Sequence, residues 1–201
     1  MECGFRLIPA LFIVVLWLSL SACGSSPAAR FYTLAPLEAE TVSLPKETPE
    51  RRGLLAIGPI EIAEHLDRPQ IVRRTGPTVV TPLEYHRWGG SLRSDVARVL
   101  VDNLTLLLAP EGLAVDSWED ASRPDLRLGV SVNQLESMDG NVLLKVLWRL
   151  YGGEGGALLD SGKIELAEPS NDSEVEAQVE AMSRALGELS RHLARKVAVV
   201  R

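Results

Sequence analysis

Residues 126–150 read LRLGVSVNQLESMDGNVLLKVLWRL, and this stretch decides the fold. Apolar side chains alternate with other residues over 126–132 and again over 142–150, as in strands that bury one face. Asp139, Gly140 and Asn141 separate the two runs, and these residue types favour a tight turn. The stretch therefore predicts a β-hairpin.

Strand patterns continue on both sides of this hairpin. Glycines within 152–156 turn the chain into a further predicted strand at 157–166. Phosphate-binding loops are also glycine-rich, but they need a helix directly after the glycines, and here a strand pattern follows. The Gly58-Pro59 pair interrupts another strand pattern and indicates a bulge or an edge position. The strands predicted before the hairpin are 54–62, 69–74 and 78–83.

Two segments carry the three- and four-residue spacing of amphipathic helices. The first begins after Ser91, a capping residue type, and ends before Pro110. The second begins at 173–176, which has the pattern of a capping box. A coiled-coil seam would show a similar stripe, but a sheet needs its apolar face covered, which favours core packing. The recurring positions are Leu92, Val96, Val99, Leu100, Asn103 and Leu107, then Val175, Val179, Met182, Leu186, Leu189, Leu193 and Val197.

The order of these elements predicts a single α+β domain over residues 53–201, with a mostly antiparallel or mixed β-sheet and two amphipathic helices packed on it. Its length of about 150 residues suits one hydrophobic core. Residues 23–52 are rich in Pro, Ala, Glu and Thr and are interpreted as a tether. An aromatic run at 31–34 predicts a short strand that pins this tether to the domain.

Residues 1–22 have the layout of a secretory signal peptide. One basic residue, Arg6, precedes an apolar core at 10–18, and small residues follow it. The core is too short to span a bilayer comfortably, which takes about 20 apolar residues, so a transmembrane anchor is the weaker interpretation. The segment therefore predicts export and removal of the signal.

The last residues of this signal, Leu20-Ser21-Ala22, and the Cys23 that follows resemble the lipobox of bacterial lipoproteins. The resemblance implies cleavage between Ala22 and Cys23, a diacylglycerol attached through the Cys23 thiol, and an N-acyl chain, such as palmitate, on the freed amine. The only other cysteine, Cys3, lies in the signal, so the processed chain has no internal disulfide. Gly24 stands where an aspartate would resemble an inner-membrane retention signal. We therefore expect a lipid anchor on the periplasmic face of the outer membrane of a Gram-negative cell envelope.

Charge and motifs exclude several functions. The formal net charge is −6, and the absence of a basic stripe argues against a nucleic-acid partner. His65, His86 and His192 are scattered, with no metal-ligand spacing. No nucleophile elbow or nucleotide loop occurs, and acid clusters such as 116–120 are usually solvated surface. We expect no catalytic residues, no metal and no cofactor other than the covalent lipid, so the protein is predicted not to be an enzyme.

Two segments, 64–74 and 84–88, have compositions that suggest a specific role. The second contains Arg87-Trp88, and the first contains Leu66-Asp67-Arg68-Pro69-Gln70-Ile71-Val72. Together with the lipobox, the run at 31–34, the strand at 57–60 and Trp148, they resemble the ABC-type transport auxiliary lipoproteins, the PqiC or YmbA-like family. Gly89-Gly90 departs from the family's usual small-acidic-proline stretch, which leaves the start of the first helix open.

The resemblance implies an auxiliary subunit that works beside an MCE-domain protein, and in many operons an ABC permease and ATPase, in lipid transport between the inner and outer membranes and in membrane integrity. Two other classes stay open: a stand-alone lipid-binding lipoprotein, which needs an apolar cavity, and an envelope-assembly lipoprotein that binds the cell wall. The sequence is also compatible with a homo-oligomer.

The surface expected to bind the partner is rich in arginine and aromatic residues. Arginine suits carboxylate contacts at interfaces, and aromatic residues often anchor them. The alternatives are ordinary exposed ion pairs for the arginines and core packing for the tryptophan. The expected partner-binding residues are Arg68, Arg73, Arg74, Tyr85, Arg87 and Trp88.

Overall fold

The structure is a computed structural model that describes residues 27–38, 53–153, 156–170 and 174–200. The predicted signal, its cleavage site between Ala22 and Cys23, most of the tether and the cap residue Ser173 lie outside the described residues. The elements are β1 Arg30–Tyr32, β2 Gly53–Ile62, β3 Gln70–Arg74, β4 Val80–Trp88, α1 Leu92–Leu108, β5 Leu113–Ser117, β6 Leu126–Met138, β7 Asn141–Gly152, β8 Leu158–Pro169 and α2 Val175–Val200.

The predicted hairpin is confirmed as β6 and β7, which pair antiparallel from Leu126↔Gly152 to Met138↔Asn141. Its turn places Asp139 at φ 50° and Gly140 at φ 76°. Both residues therefore adopt the left-handed conformation that a two-residue hairpin turn requires. Both strands extend beyond the predicted runs at 126–132 and 142–150. Backbone pairing between β6 and β7 continues into the residues next to the turn and at the far end of β7, where the apolar alternation has stopped.

A bulge near Asn133 divides β6 into two halves. The β6–β7 register shifts between Val132 and Gln134, so the alternation of side chains changes sides at this point. Leu135 and Ser137 therefore continue the helix-facing row, and Glu136 lies on the opposite face although it is fully buried.

The eight strands of the described residues form one mixed sheet that branches at β6. The first half of β6 pairs in parallel with β2, which pairs in parallel with β5. Near its end, Ser137 of β6 pairs with Arg73 of β3, and β3 leads through β4 to β1. On its other side β6 pairs with β7, which pairs with β8. A single α+β domain with a mixed sheet is thus confirmed, whereas β5 was not predicted.

The bulge predicted at Gly58-Pro59 is confirmed, since the β2–β6 register shifts between Ile57 and Ile60. The edge position offered as the alternative is wrong for β2, because it lies between β5 and β6. The Gly58-Pro59 peptide bond is cis.

Both helices cover one face of the sheet and contact each other. Their stripes are buried as predicted, with Val96, Leu100 and Leu189 at 0% exposure, except that Leu107 is only partly buried and Leu104 and Leu108 fill the core at the end of α1. Core packing of α2 is therefore confirmed over the coiled-coil alternative. Ser91 occupies the position before α1 as predicted, but its side chain makes no capping hydrogen bond.

The start of the described chain is bonded into the domain. The predicted short strand is confirmed as β1, although it spans Arg30–Tyr32 rather than 31–34, and it pairs in parallel with β4. After it, the Leu34 amide donates to Asp95 Oδ2 at 2.6 Å and the Leu37 amide to Asn103 Oδ1 at 2.7 Å. Asn103 also donates to Ser190 Oγ of α2 at 3.0 Å. This explains the polar residue in the buried stripe of α1: Asn103 joins three segments of the chain.

Candidate functional site

The structure places Arg68 and Arg87 close together at the beginning of β3. Arg68 is exposed in the loop before this strand. Arg87 is half-buried on β4 opposite Gln70, and the Trp88 amide donates to the Pro69 carbonyl at 2.8 Å. The segment 84–88 therefore lies in a strand, whereas the predicted strand ended at 83.

Tyr85 also lies on this stretch of β4, where its side chain is 43% exposed. Between Val72↔Pro82 and Gln70↔Arg87, β4 contains more residues than β3. Such an irregular stretch presents side chains away from regular ladder positions. Tyr85, Arg68 and Arg87 are thus available to a partner at one end of β3.

Trp88, by contrast, packs in the hydrophobic core and is only 5% exposed. This placement matches the core-packing alternative considered for it. Beside it, the Tyr32 hydroxyl lies 2.8 Å from His86 Nδ1, which holds β1 to β4. Trp88 therefore supports the position of its neighbour Arg87 and is not itself available for contact.

Arg73 and Arg74 lie at the other end of β3. As consecutive strand residues they point to opposite faces of the sheet. Arg74 Nε donates to Glu136 Oε1 at 2.6 Å, and its Nη1 donates to the Pro77 carbonyl at 3.1 Å. The Glu136 side chain is 0% exposed, and its Oε2 lies 3.7 Å from His65 Nε2. Arg74 is thus the neutralising partner of a buried carboxylate, a role that the sequence did not indicate.

Replacing Arg74 by methionine should lower the free energy of unfolding by about 3 to 5 kcal/mol, because it leaves the Glu136 carboxylate buried without its cation. Urea unfolding measures this loss. The double variant Arg74→Met with Glu136→Leu is the control, since it removes both charges and should recover most of the stability. A loss of less than about 1 kcal/mol, the value of an exposed pair, would contradict a structural role for Arg74.

Two surface grooves are present among the described residues. One, of about 520 Å³, lies between the chain at 31–38 and the first half of α2, with Leu37 and Val179 in its lining. The other, of about 590 Å³, lies between α1 and the loop that follows β5, with Trp118 in its lining. The lining of the first is apolar in part, as a lipid-binding alternative needs, and also contains Glu38, Glu176 and Glu180.

The described residues contain no group of three or more His, Cys, Asp or Glu placed to hold a metal ion. Within the same ranges, no helix is long and apolar enough to cross a membrane.

The fold is a two-layer α+β domain in which two helices cover one face of a mixed sheet. The chain belongs to the family of ABC-type transport auxiliary lipoprotein components, whose model matches residues 32–194. The resemblance inferred from the sequence is confirmed.

Two solved structures share its fold. A protein of Xanthomonas campestris is 17% identical, with a TM-score of 0.70 over 86% of this chain and 96% of the other. An uncharacterised protein is 20% identical, with a TM-score of 0.70 over 85% of this chain and 99% of the other. A search of curated proteins found no match.

Proposed function

We propose that the protein is anchored through acylated Cys23 on the periplasmic face of the outer membrane and serves as the non-catalytic auxiliary subunit of an MCE/ABC-type lipid transport system. The observation that carries the proposal is the family match over residues 32–194. The lipobox ending at Cys23 supports the anchor. The bonds from the segment 34–37 to α1 support a tether that leads directly into the domain.

The proposed docking surface for the MCE-domain partner consists of Arg68, Arg87 and Tyr85, with Arg73 at its far end. Among the described residues, Arg87 Nε makes one long hydrogen bond of 3.4 Å, to the Glu84 carbonyl. A guanidinium with little internal bonding offers donors to a partner's carboxylates. Arg74 stabilises the adjacent strand through Glu136, so it contributes to the surface indirectly.

The double variant Arg68→Glu with Arg87→Glu should abolish co-purification with the proposed MCE-domain partner, because two donors become carboxylates at the same surface. Pull-down of the acylated chain from membranes measures this, and growth under detergent stress reports envelope function.

The matched control is Arg123→Glu with Arg195→Glu, which makes the same charge change at two exposed positions elsewhere. It should co-purify and complement a deletion strain normally. If the first variant also co-purifies fully, the docking surface lies on another face of the domain.

The groove between residues 31–38 and α2 favours one second candidate, a lipoprotein that carries lipid itself. Its apolar residues include Phe31, Leu37 and Val179, and its volume of about 520 Å³ falls in the range of small-molecule sites. Mass spectrometry of the purified protein should then show a bound phospholipid besides the covalent anchor. Its absence would favour the auxiliary subunit.

A further inference from the structure

The face of the sheet opposite the helices carries its own pattern of side chains, and we call its β6–β8 part the outer face. The β7–β8 register defines its rows, since directly paired residues share a face. These pairs are Leu143↔Ala167, Lys145↔Glu165, Leu147↔Lys163, Arg149↔Ser161 and Tyr151↔Leu158. On β6, Arg127 pairs with Tyr151 and extends the last row.

The exposed charges on the β6–β8 rows of the outer face are mostly basic although the whole chain is acidic, and Glu61 and Asp116 continue two of these rows onto β2 and β5. Its rows hold four cations, Arg127, Lys145, Arg149 and Lys163, and two carboxylates, of which Glu136 is buried against Arg74 and Glu165 is exposed. The chain as a whole has a net charge of −6. Lys163 hydrogen-bonds Glu165 and, with a smaller contribution from Lys145, lowers the pKa of that carboxyl. The exposed carboxylate of Glu165 therefore lies among cations, and positive charge remains on the solvent side of these rows.

Aromatic and aliphatic side chains accompany these cations. The Arg127 guanidinium lies 4.7 Å from the ring centre of Trp118 and 4.9 Å from that of Tyr151. Trp118 is held there because its amide donates to the Ile57 carbonyl and its Cβ packs on Gly58, where a side chain would clash. Trp118 is 43% exposed, Leu147 37% and Leu158 56%.

We propose that the outer face docks reversibly on an anionic phospholipid surface. Lysine and arginine are attracted to anionic headgroups, and tryptophan and tyrosine favour the interface between headgroups and acyl chains. The residues between Cys23 and Arg30 reach about 25 Å when extended, so an acylated chain would keep the domain near the bilayer. The proximity of the domain to the bilayer rests on the acylation of Cys23 proposed above. The charge and aromatic content of the outer face is independent of that acylation.

A lipid surface fits this face better than a protein partner does. The apolar side chains are spread over several rows and alternate with cations, whereas protein interfaces concentrate apolar residues in a core from which charges are depleted. Attraction of basic side chains with shallow apolar insertion is the pattern of interfacial membrane binding. A single weak face is sufficient when a lipid anchor supplies the second attachment.

The fluorescence of Trp118 provides the test. Among the described residues it is the exposed tryptophan, since Trp88 and Trp148 are 5% and 3% exposed, and Trp17 lies in the predicted signal. The processed, acylated chain is reconstituted in vesicles whose phosphatidylcholine carries brominated acyl chains, with or without phosphatidylglycerol. Quenching of Trp118 is expected only with phosphatidylglycerol, and added salt should relieve it.

Arg149→Glu should lower the ratio of docked to undocked protein by about tenfold, because it removes one attraction and adds one repulsion at the surface. The matched control is Arg195→Glu, the same change on the exposed side of α2, which should leave quenching unchanged. Vesicle flotation measures the acyl anchor separately. Protein that does not float with the vesicles indicates that the proposed acylation has failed. In that case the protein is attached to the vesicles through a lipid-linked maleimide on Cys23, and docking of the outer face is measured on this attached protein.

Three results would overturn the proposal. They are equal quenching in vesicles without phosphatidylglycerol, equal quenching of the Arg149→Glu and Arg195→Glu variants, and no quenching of protein that floats. A concentration-dependent blue shift of Trp118 without vesicles would show that a second copy covers the face, and would also overturn it.

Discussion

Leu189→Asp should unfold the domain, with a loss of more than about 5 kcal/mol in the free energy of unfolding. Leu189 is 0% exposed on the sheet-facing side of α2. Truncating a buried leucine alone costs about 2 to 5 kcal/mol, and an unpaired carboxylate in the same place adds a desolvation penalty. Since a typical domain is stable by about 5 to 15 kcal/mol, most of the native population would be lost.

Urea and thermal unfolding followed by circular dichroism measure this effect. Leu189→Met is the control for position, because a volume-conserving change usually costs less than about 1.5 kcal/mol. Arg195→Asp is the control for charge, because it introduces the same carboxylate on the exposed side of the same helix. A melting temperature unchanged by Leu189→Asp would mean that α2 is not part of the core.

Cys23→Ser should abolish lipid attachment and leave the chain unprocessed. A thiolate is the nucleophile that takes up the diacylglycerol, and a serine hydroxyl is far less nucleophilic at neutral pH. Without the lipid, signal removal and N-acylation of this residue do not follow. Incorporation of radiolabelled palmitate and the mobility of the chain on gels measure both steps.

Cys3→Ser is the matched control, since it removes the other cysteine of the sequence and should leave labelling and processing unchanged. Equal labelling of wild type and Cys23→Ser would contradict the lipobox interpretation.

The elements that the sequence predicted correctly are those whose pattern is local. The 139–141 turn has residue types that suit its left-handed backbone, and both helices show a long apolar stripe. Strand β5 was missed because its five residues, Leu113–Ser117, include alanine, aspartate and serine and show no alternation. It forms through parallel pairing with β2, a strand that lies far earlier in the chain, and such pairing leaves no local signal.

The candidate site was predicted less completely, because adjacency in sequence does not show which face a side chain occupies. Arg73 and Arg74 appear as one basic pair in the sequence. Strand alternation places them on opposite faces of the sheet, and Arg74 binds Glu136. The local signal was weak: Glu136 is the acidic residue of β6, but that strand also contains Arg127, Asn133 and Gln134. The pairing of Glu136 with Arg74 depends on two non-local features. One is the bulge in β6, which shifts the register, and the other is the branch of the sheet that brings β3 beside β6.

The way the N-terminal segment enters the domain determines how the protein would respond to mechanical force. A pull on residue 27 first loads β1, which has only three residues, and then the bonds from Leu34 to Asp95 and from Leu37 to Asn103. Because Asn103 also binds Ser190, tension at the N-terminus reaches both helices. Forced unfolding depends on the rate at which such contacts break. A domain pulled through its N-terminus would therefore loosen where its helices meet before the central hairpin is disturbed.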